Sequence, residues 1–204
     1  MKIPDYLANL LDITHQDVPL RLLIRHSERY PILTEADVIT TGLTQTGFEL
    51  AEELGREIKR RGFNLNRVFS SPVLRCRDTA VFAARGAEWT GEVGISSYLS
   101  HPFISASWLN LQASPPDGTL PTEIQEMIGF ILDGGGEAHS LDLLVTHDTN
   151  LAFLSATLFR QILDESTWPQ FLEGMAFWQR GSTISMAWRG VIREMQVWDA
   201  GLLF

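Results

Sequence analysis

The sequence predicts an α/β fold in which strands alternate with helices along most of the chain. Three observations carry this. Short apolar runs bounded by polar residues stand at Leu20–Ile24 (LRLLI), Arg67–Ser70 (RVFS, the weakest) and Leu141–Val145 (LDLLV), as strands buried in a sheet do. Segments of helical periodicity lie between and after them. The tail changes character, with β-rich pieces MAFWQ, TISMAWR and VIREMQV separated by Arg180-Gly181 and Arg189-Gly190, which read as turns between antiparallel edge strands.

Between the first two runs, LTQTGFELAEELGREIKRRG places Gly47, Ala51, Leu54 and Ile58 on one face, with Gly62 as C-cap, and predicts a helix over residues 44–61. After the second run, Ser71 reads as an N-cap with Pro72 at the first helical position. Val73, Cys76, Ala80 and Ala83 then share a face, and Gly86 closes the helix. Pro121–Leu132 supplies another helix. TNLAFLSATLFRQIL, after the third run, is apolar around most of its circumference, as a helix packed deep against a sheet is. Pro115-Pro116-Asp117-Gly118 and Gly134-Gly135-Gly136 are too short for interdomain linkers and read as turns within a single domain, 1–204.

At 204 residues, 45% hydrophobic and 20% charged, the chain can bury one good core. A net charge of -9 disfavours nucleic acid and anionic membranes as partners, so any phosphate binding has to be local. The lone Cys76 cannot form an intramolecular disulfide, the start MKIPDYLANLLDITHQDVPL lacks the basic region and apolar run of a secretory signal, and no apolar stretch approaches a membrane span. A cytoplasmic location is the expectation.

Ligands of open α/β sheets bind beyond the carboxyl ends of strands. There the first run ends in Arg25-His26-Ser27-Glu28-Arg29, the second in Ser70-Ser71-Pro72 with Arg75 beyond, and the third in Thr146-His147-Asp148-Thr149-Asn150. Arg75 is informative, because a cation in the first turn of a helix opposes the macrodipole unless an anion is bound beside it. Arginine forks match phosphate oxygens and neutralise developing charge without a metal. A histidine among them can be the nucleophile.

RHSERYP (25–31) resembles the R-H-G-x-R-x-P signature of the acid phosphatase and phytase branch of the histidine phosphatase superfamily, with Ser27 in place of glycine. LTQTG (43–47), SSPVLRCRDTA (70–80) and THDTN (146–150) resemble further motifs of that family in the same order, and TWPQF before the β-rich tail is similar to its end. The resemblance implies a three-layer phosphoglycerate mutase-like fold, with a mixed, mostly parallel sheet and helices on both faces. It implies a phosphomonoester hydrolase with no metal or other cofactor. His26 would be the phosphoryl acceptor, Arg25, Arg29, Arg75 and His147 the phosphate-binding and catalytic partners, and Asp148 the proton donor. Flanking arginines would keep His26 neutral, and a donor that must hold its proton predicts better activity at mildly acidic pH.

The partner implied is a small phosphorylated substrate or a phosphoprotein, and residues 87–120, with Trp89, His101, Phe103 and Trp108, stand where the family inserts its specificity elements. The residues leave alternatives open. A phosphomutase would use the same phosphohistidine, and Ser27 is the visible lesion if the fold survives only as a binding module. A zinc hydrolase built on His26, His147 and Asp148 is opposed by the surrounding arginines. Asp148 also suits an ordinary N-cap, Glu28 is a rival acid whose commoner role is a solvated carboxylate, and Cys76, Trp178, Trp188 and Trp198 read as packing residues. His15, His101 and His139 lack any such context, and Arg77 and Arg85 read as exposed.

Overall fold

Seven strands form one sheet in the order β3-β2-β4-β1-β5-β6-β7. In chain order they are β1 (Leu20–Arg25), β2 (Asn64–Ser70), β3 (Gly94–Ile95), β4 (Ser140–Thr146), β5 (Gly174–Arg180), β6 (Thr183–Trp188) and β7 (Val191–Gln196). The computed structural model describes residues 2–13, 17–100 and 122–199. β1 to β4 run parallel, and β5 to β7 add an antiparallel edge through tight turns with positive φ at Gly181, Arg189 and Gly190. The sheet is therefore mixed, as expected.

The helices are α1 (Asp5–Ile13), α2 (Asp37–Thr40), α3 (Gln45–Arg60), α4 (Leu74–Gly86), α5 (Thr122–Leu132) and α6 (Asp148–Phe159). Strand alternation divides the core between two faces. Leu22, Ile24, Leu143 and Val145 pack with α1, α3 and α4, whereas Leu23, Leu144 and Phe177 pack with α5 and α6. The run TNLAFLSATLF is apolar all round because α6 is buried on nearly every side, and Arg160, at φ 54°, caps it in the left-handed region, leaving Gln161–Leu163 outside the helix.

Thr44 caps α3 by accepting from the Gly47 amide, and Gly62 follows its end at φ 83°. α3 and α4 are interlocked by glycine. A Cβ on Gly55 would lie 1.9 Å from the Ala83 carbonyl, and one on Gly86 would lie 1.9 Å from the Glu52 carbonyl, so each helix seats its backbone against the other. Gly86 is the last residue of α4, where the helix was expected to close, and it serves there as a packing residue. α4 also starts later than expected, with Val73 as N-cap, because the Ser71 hydroxyl is turned toward His147.

Away from the site, buried Asp142 on β4 binds Arg67 at 2.7 Å and Asn66 at 2.9 Å, with Arg21 at 3.9 Å. Arg67 also donates to the Ile131 and Asp133 carbonyls, satisfying the end of α5. Trp178 and Trp188 are buried in the edge sheet, but Trp198 is exposed, contrary to expectation, because β7 ends at Gln196 and nothing covers it among the described residues. Trp89 packs against the α3–α4 side of the core. His15, His101, Phe103, Trp108 and the Pro115–Gly118 turn lie outside the described residues. No described helix is long and apolar enough to cross a membrane.

Candidate active site

Sheet register assembles the site. Arg25 at the end of β1 pairs with Thr146 at the end of β4, and Ser70 at the end of β2 pairs with the neighbouring Val145. The three motifs that follow these strands therefore emerge side by side. A fourth, LTQTG, is brought in by close packing: a Cβ on Gly47 would lie 2.0 Å from the Glu28 carbonyl, so only glycine lets α3 abut the loop carrying His26. Thr44 completes the joint, its amide donating to the Glu28 carbonyl at 3.0 Å and its hydroxyl to Glu28 Oε1 at 2.7 Å.

His26 is 1% exposed. Its Nδ1 lies 2.8 Å from the Ser27 carbonyl, and Arg75 Nε donates to its Nε2 at 3.0 Å. A carbonyl only accepts and a guanidinium only donates, so the proton belongs on Nδ1 and the lone pair on Nε2. Burial, reinforced by the Arg25 and Arg75 charges, holds the imidazole well below its usual pKa of 6.5. The ring is neutral at pH 7.

The same guanidinium reaches the second histidine. Arg75 Nη2 is 3.2 Å from His147 Nδ1, and His147 Nε2 is 2.8 Å from Ser71 Oγ. By the same reasoning His147 accepts at Nδ1 and donates from Nε2 to Ser71. Burial, then the Arg75 charge, pushes its pKa down to about 4. The third nitrogen of Arg75 donates to the Val38 carbonyl of α2. One side chain thereby ties together two imidazoles and the segment following the His26 loop. Nothing in the spacing marks Ser71 as a partner of His147, since before Pro72 it has the signature of a cap.

Arg25 Nη2 is ion-paired with Asp148 Oδ2 at 2.9 Å, while Nη1 donates to the Pro169 carbonyl at 2.7 Å. The Phe171 ring lies 4.2 Å from the Arg25 guanidinium and 5.7 Å from His26. TWPQF thus forms one wall of the site. Asp148 is the first residue of α6 and His147 its N-cap, so the N-cap role considered for Asp148 falls one residue earlier. Arg29 donates from Nη1 to the Tyr30 carbonyl.

Buried polar atoms without a hydrogen-bond partner concentrate here. Of the seven such side-chain atoms among the described residues, Arg25 Nε, Ser27 Oγ, Arg29 Nε, Ser70 Oγ and Asn150 Oδ1 all belong to the segments ending β1, β2 and β4. The four that can donate, on two arginines and two serines, are costly left unmet in a fold and mark a place where an anion would be welcome. Ser27 is not at positive φ, so its backbone does not require the motif glycine. Cys76 is buried against His147, and burial pushes its thiol up to about 12, which makes it a core filler. Arg77 and Arg85 are exposed, as expected. No group of three or more described His, Cys, Asp or Glu side chains could hold a metal ion.

Residues 22–97 match the family model of the histidine phosphatase superfamily, branch 1. That stretch includes Arg25, His26, Arg29 and Arg75. The superfamily is the one the motifs resemble. No curated protein matches the chain in sequence. Among solved structures, a mycobacterial glucosyl-3-phosphoglycerate phosphatase is 17% identical, with 87% of this chain and 96% of that one covered and a TM-score of 0.56. A mutant phosphoserine phosphatase from Entamoeba histolytica, in complex with phosphoserine, is 15% identical over 83% and 95%, with a TM-score of 0.53. The ecdysone phosphate phosphatase of Bombix mori, in complex with tungstate, is 16% identical over 80% and 89%, with a TM-score of 0.52. At such identities the shared property is the fold, which is phosphoglycerate mutase-like.

Proposed function

Starting from residues 22–97 as a histidine phosphatase superfamily segment within a phosphoglycerate mutase-like fold, we propose that this chain hydrolyses phosphate monoesters through a phosphohistidine on His26. The observation that carries the reading is a neutral, buried imidazole whose Nε2 lone pair faces a guanidinium, beside two further arginines with unmet Nε donors. Such a nucleophile needs no base, and the arginines attract the group it attacks.

In the reaction, a phosphate monoester enters among Arg25, Arg29 and Arg75, which turn donors toward its oxygens. Arg75 leaves Nε2, and Arg25 releases Asp148. Nε2 then bonds to phosphorus as the ester P–O bond breaks, and Asp148, a carboxylate in its pair with Arg25, takes up the proton of the monoanionic ester as that pair opens and passes it to the leaving oxygen. Water attacks phosphorus in the second step, Asp148 takes its proton, and phosphate departs as the N–P bond breaks. His147 holds Arg75 in place through Nδ1. It acts as a direct phosphate donor only after its proton moves from the nitrogen facing Ser71. The arginines supply the charge that a metal supplies elsewhere. The reading takes 1–204 as one domain, with residues 87–120 shaping substrate choice, and keeps the acid phosphatase likeness for the His147-Asp148 pair.

The test is hydrolysis of an aryl phosphate between pH 5 and 8 in excess chelator. Turnover that resists the chelator, vanishes in His26→Ala and falls at least tenfold in Asp148→Asn is expected. A native protein that binds phosphate and turns nothing over, with or without a bisphosphate primer, is a binding module instead. Turnover that appears only with the primer marks a mutase.

A further inference from the structure

Exposed hydrocarbon adjoins the site residues along the chain. Tyr30, Leu33, Ile39 and Leu74 are large apolar side chains left 58%, 84%, 67% and 42% exposed. Three of them adjoin, in the chain, a residue of the phosphate site or its direct partner. Tyr30 follows Arg29 and gives that arginine its carbonyl, Leu74 precedes Arg75, and Ile39 follows Val38, whose carbonyl accepts from Arg75. Backbone contacts hold these pieces together: Arg29 bridges Leu43, the Tyr30 amide donates to the Gly42 carbonyl, and a Cβ on Gly42 would meet Leu74 at 3.7 Å. Leu33, the most exposed, lies between Tyr30 and Ile39 on the same segment.

Charge along this segment is sparse. Between Tyr30 and Gly42 the only ionisable side chains besides the tyrosine are Glu35 and Asp37, and Asp37 is occupied by the Thr34 amide and hydroxyl at 2.9 Å each. Threonines there bond locally where they bond at all, as Thr40 does to the Ala36 carbonyl. A sugar or glycerate leaving group needs hydrogen-bond partners at this distance from the phosphate, and the segment offers few. Hydrocarbon needs only contact.

Building on the phosphatase reading, we infer that the site takes monoesters of apolar alcohols, whose hydrocarbon seats on Tyr30, Leu33, Ile39 and Leu74. Each methylene buried there lowers the dissociation constant about threefold to fourfold, from roughly 0.8 kcal/mol per buried CH₂.

The test uses two series of increasing chain length, ethyl to octyl. Alkyl phosphates are assayed for kcat/KM beside glycerol phosphate and phosphoserine, and alkyl phosphonates, which cannot be hydrolysed, for Kd by calorimetry. The expected result from ethyl to hexyl is at least a tenfold rise in kcat/KM and at least a tenfold fall in Kd, with a slope that flattens in the exposed double variant Leu33→Ser, Ile39→Ser. A flat series, a preference for glycerol phosphate or phosphoserine, or a slope that survives the double variant overturns the inference. Phosphonate affinity that rises with chain length while no ester is hydrolysed leaves the apolar seat standing and defeats the phosphatase reading, so the two failures separate.

Discussion

Replacing Gly47 with alanine tests whether packing of α3 fixes the His26 loop. The added Cβ would lie 2.0 Å from the Glu28 carbonyl oxygen, 3.0 Å from its carbon and 3.2 Å from Leu43 Cβ. Real Cβ contacts hardly occur below 3.0 Å, so α3 and the loop must separate by at least 1 Å. Both obstacles at Glu28 are backbone, and no side chain can swing aside. Overpacking of this kind costs about 1–3 kcal/mol, or roughly 3–10 °C in melting temperature for a chain this size. The displaced residue is two positions from His26, and a 1 Å misplacement of reacting groups costs on the order of a hundredfold in rate. The assay is aryl phosphate kcat/KM well below the melting transition, with melting followed by calorimetry. Gly62→Ala is the comparator: at φ 83° with nothing within 4 Å of its Cβ, it strains only a helix end, so it lowers melting while keeping kcat/KM within twofold. A Gly47→Ala protein with native melting and kcat/KM within twofold refutes the argument.

Both site histidines are held below their unfolded pKa of about 6.5, so the unfolded chain binds more protons and stability falls as pH drops below that value. For His147 the loss runs from about 6.5 to about 4 and totals on the order of 3 kcal/mol; denaturant midpoints of native protein and His147→Asn should therefore converge between pH 6.5 and 5, and parallel curves would contradict this. Ser27→Ala removes a buried hydroxyl that lacks a partner and should raise melting by about 2–4 °C, from roughly 1 kcal/mol; unchanged or lower melting would show the hydroxyl to be satisfied in solution. Asp142→Ala strips the carboxylate from Arg67 and Arg21, costs about 3–5 kcal/mol, and leaves kcat/KM unchanged where the protein is folded, since the network lies away from His26. Loss of activity in the folded variant would tie that end of the sheet to the site.

The chain's alternation of apolar runs and helical periods already disclosed the sheet's centre, because Leu20–Ile24 and Leu141–Val145 are buried on both faces and each is broken by only one charged residue, Arg21 and Asp142. β2 was faint, since only its last residues are buried and Asn64 and Asn66 face outward. α1 and the four-residue α2 escaped notice: DYLANLLDI has a usable apolar face but follows no strand, and DVIT is too short for a period to register. Arg25, His26, Arg75, His147 and Asp148 could be selected because they follow strand ends, and register brings them within hydrogen-bonding reach of one another. Their pairings could not be foreseen. That Arg75 bridges both histidines, that Arg25 is held by Asp148 and that Ser71 serves His147 instead of capping α4 all depend on side-chain direction, to which spacing is blind.

The reciprocal seating of Gly55 and Gly86 makes α3 and α4 behave as a single brace, and both helices begin at the site, one at Thr44 on Glu28 and the other beside Arg75. The apolar residues inferred to seat the alcohol, on the 30–42 segment and at Leu74, stand apart from the Gly55–Gly86 joint. Substrate range can therefore drift in this architecture through surface substitutions alone, while the spacing between nucleophile and arginine is inherited intact.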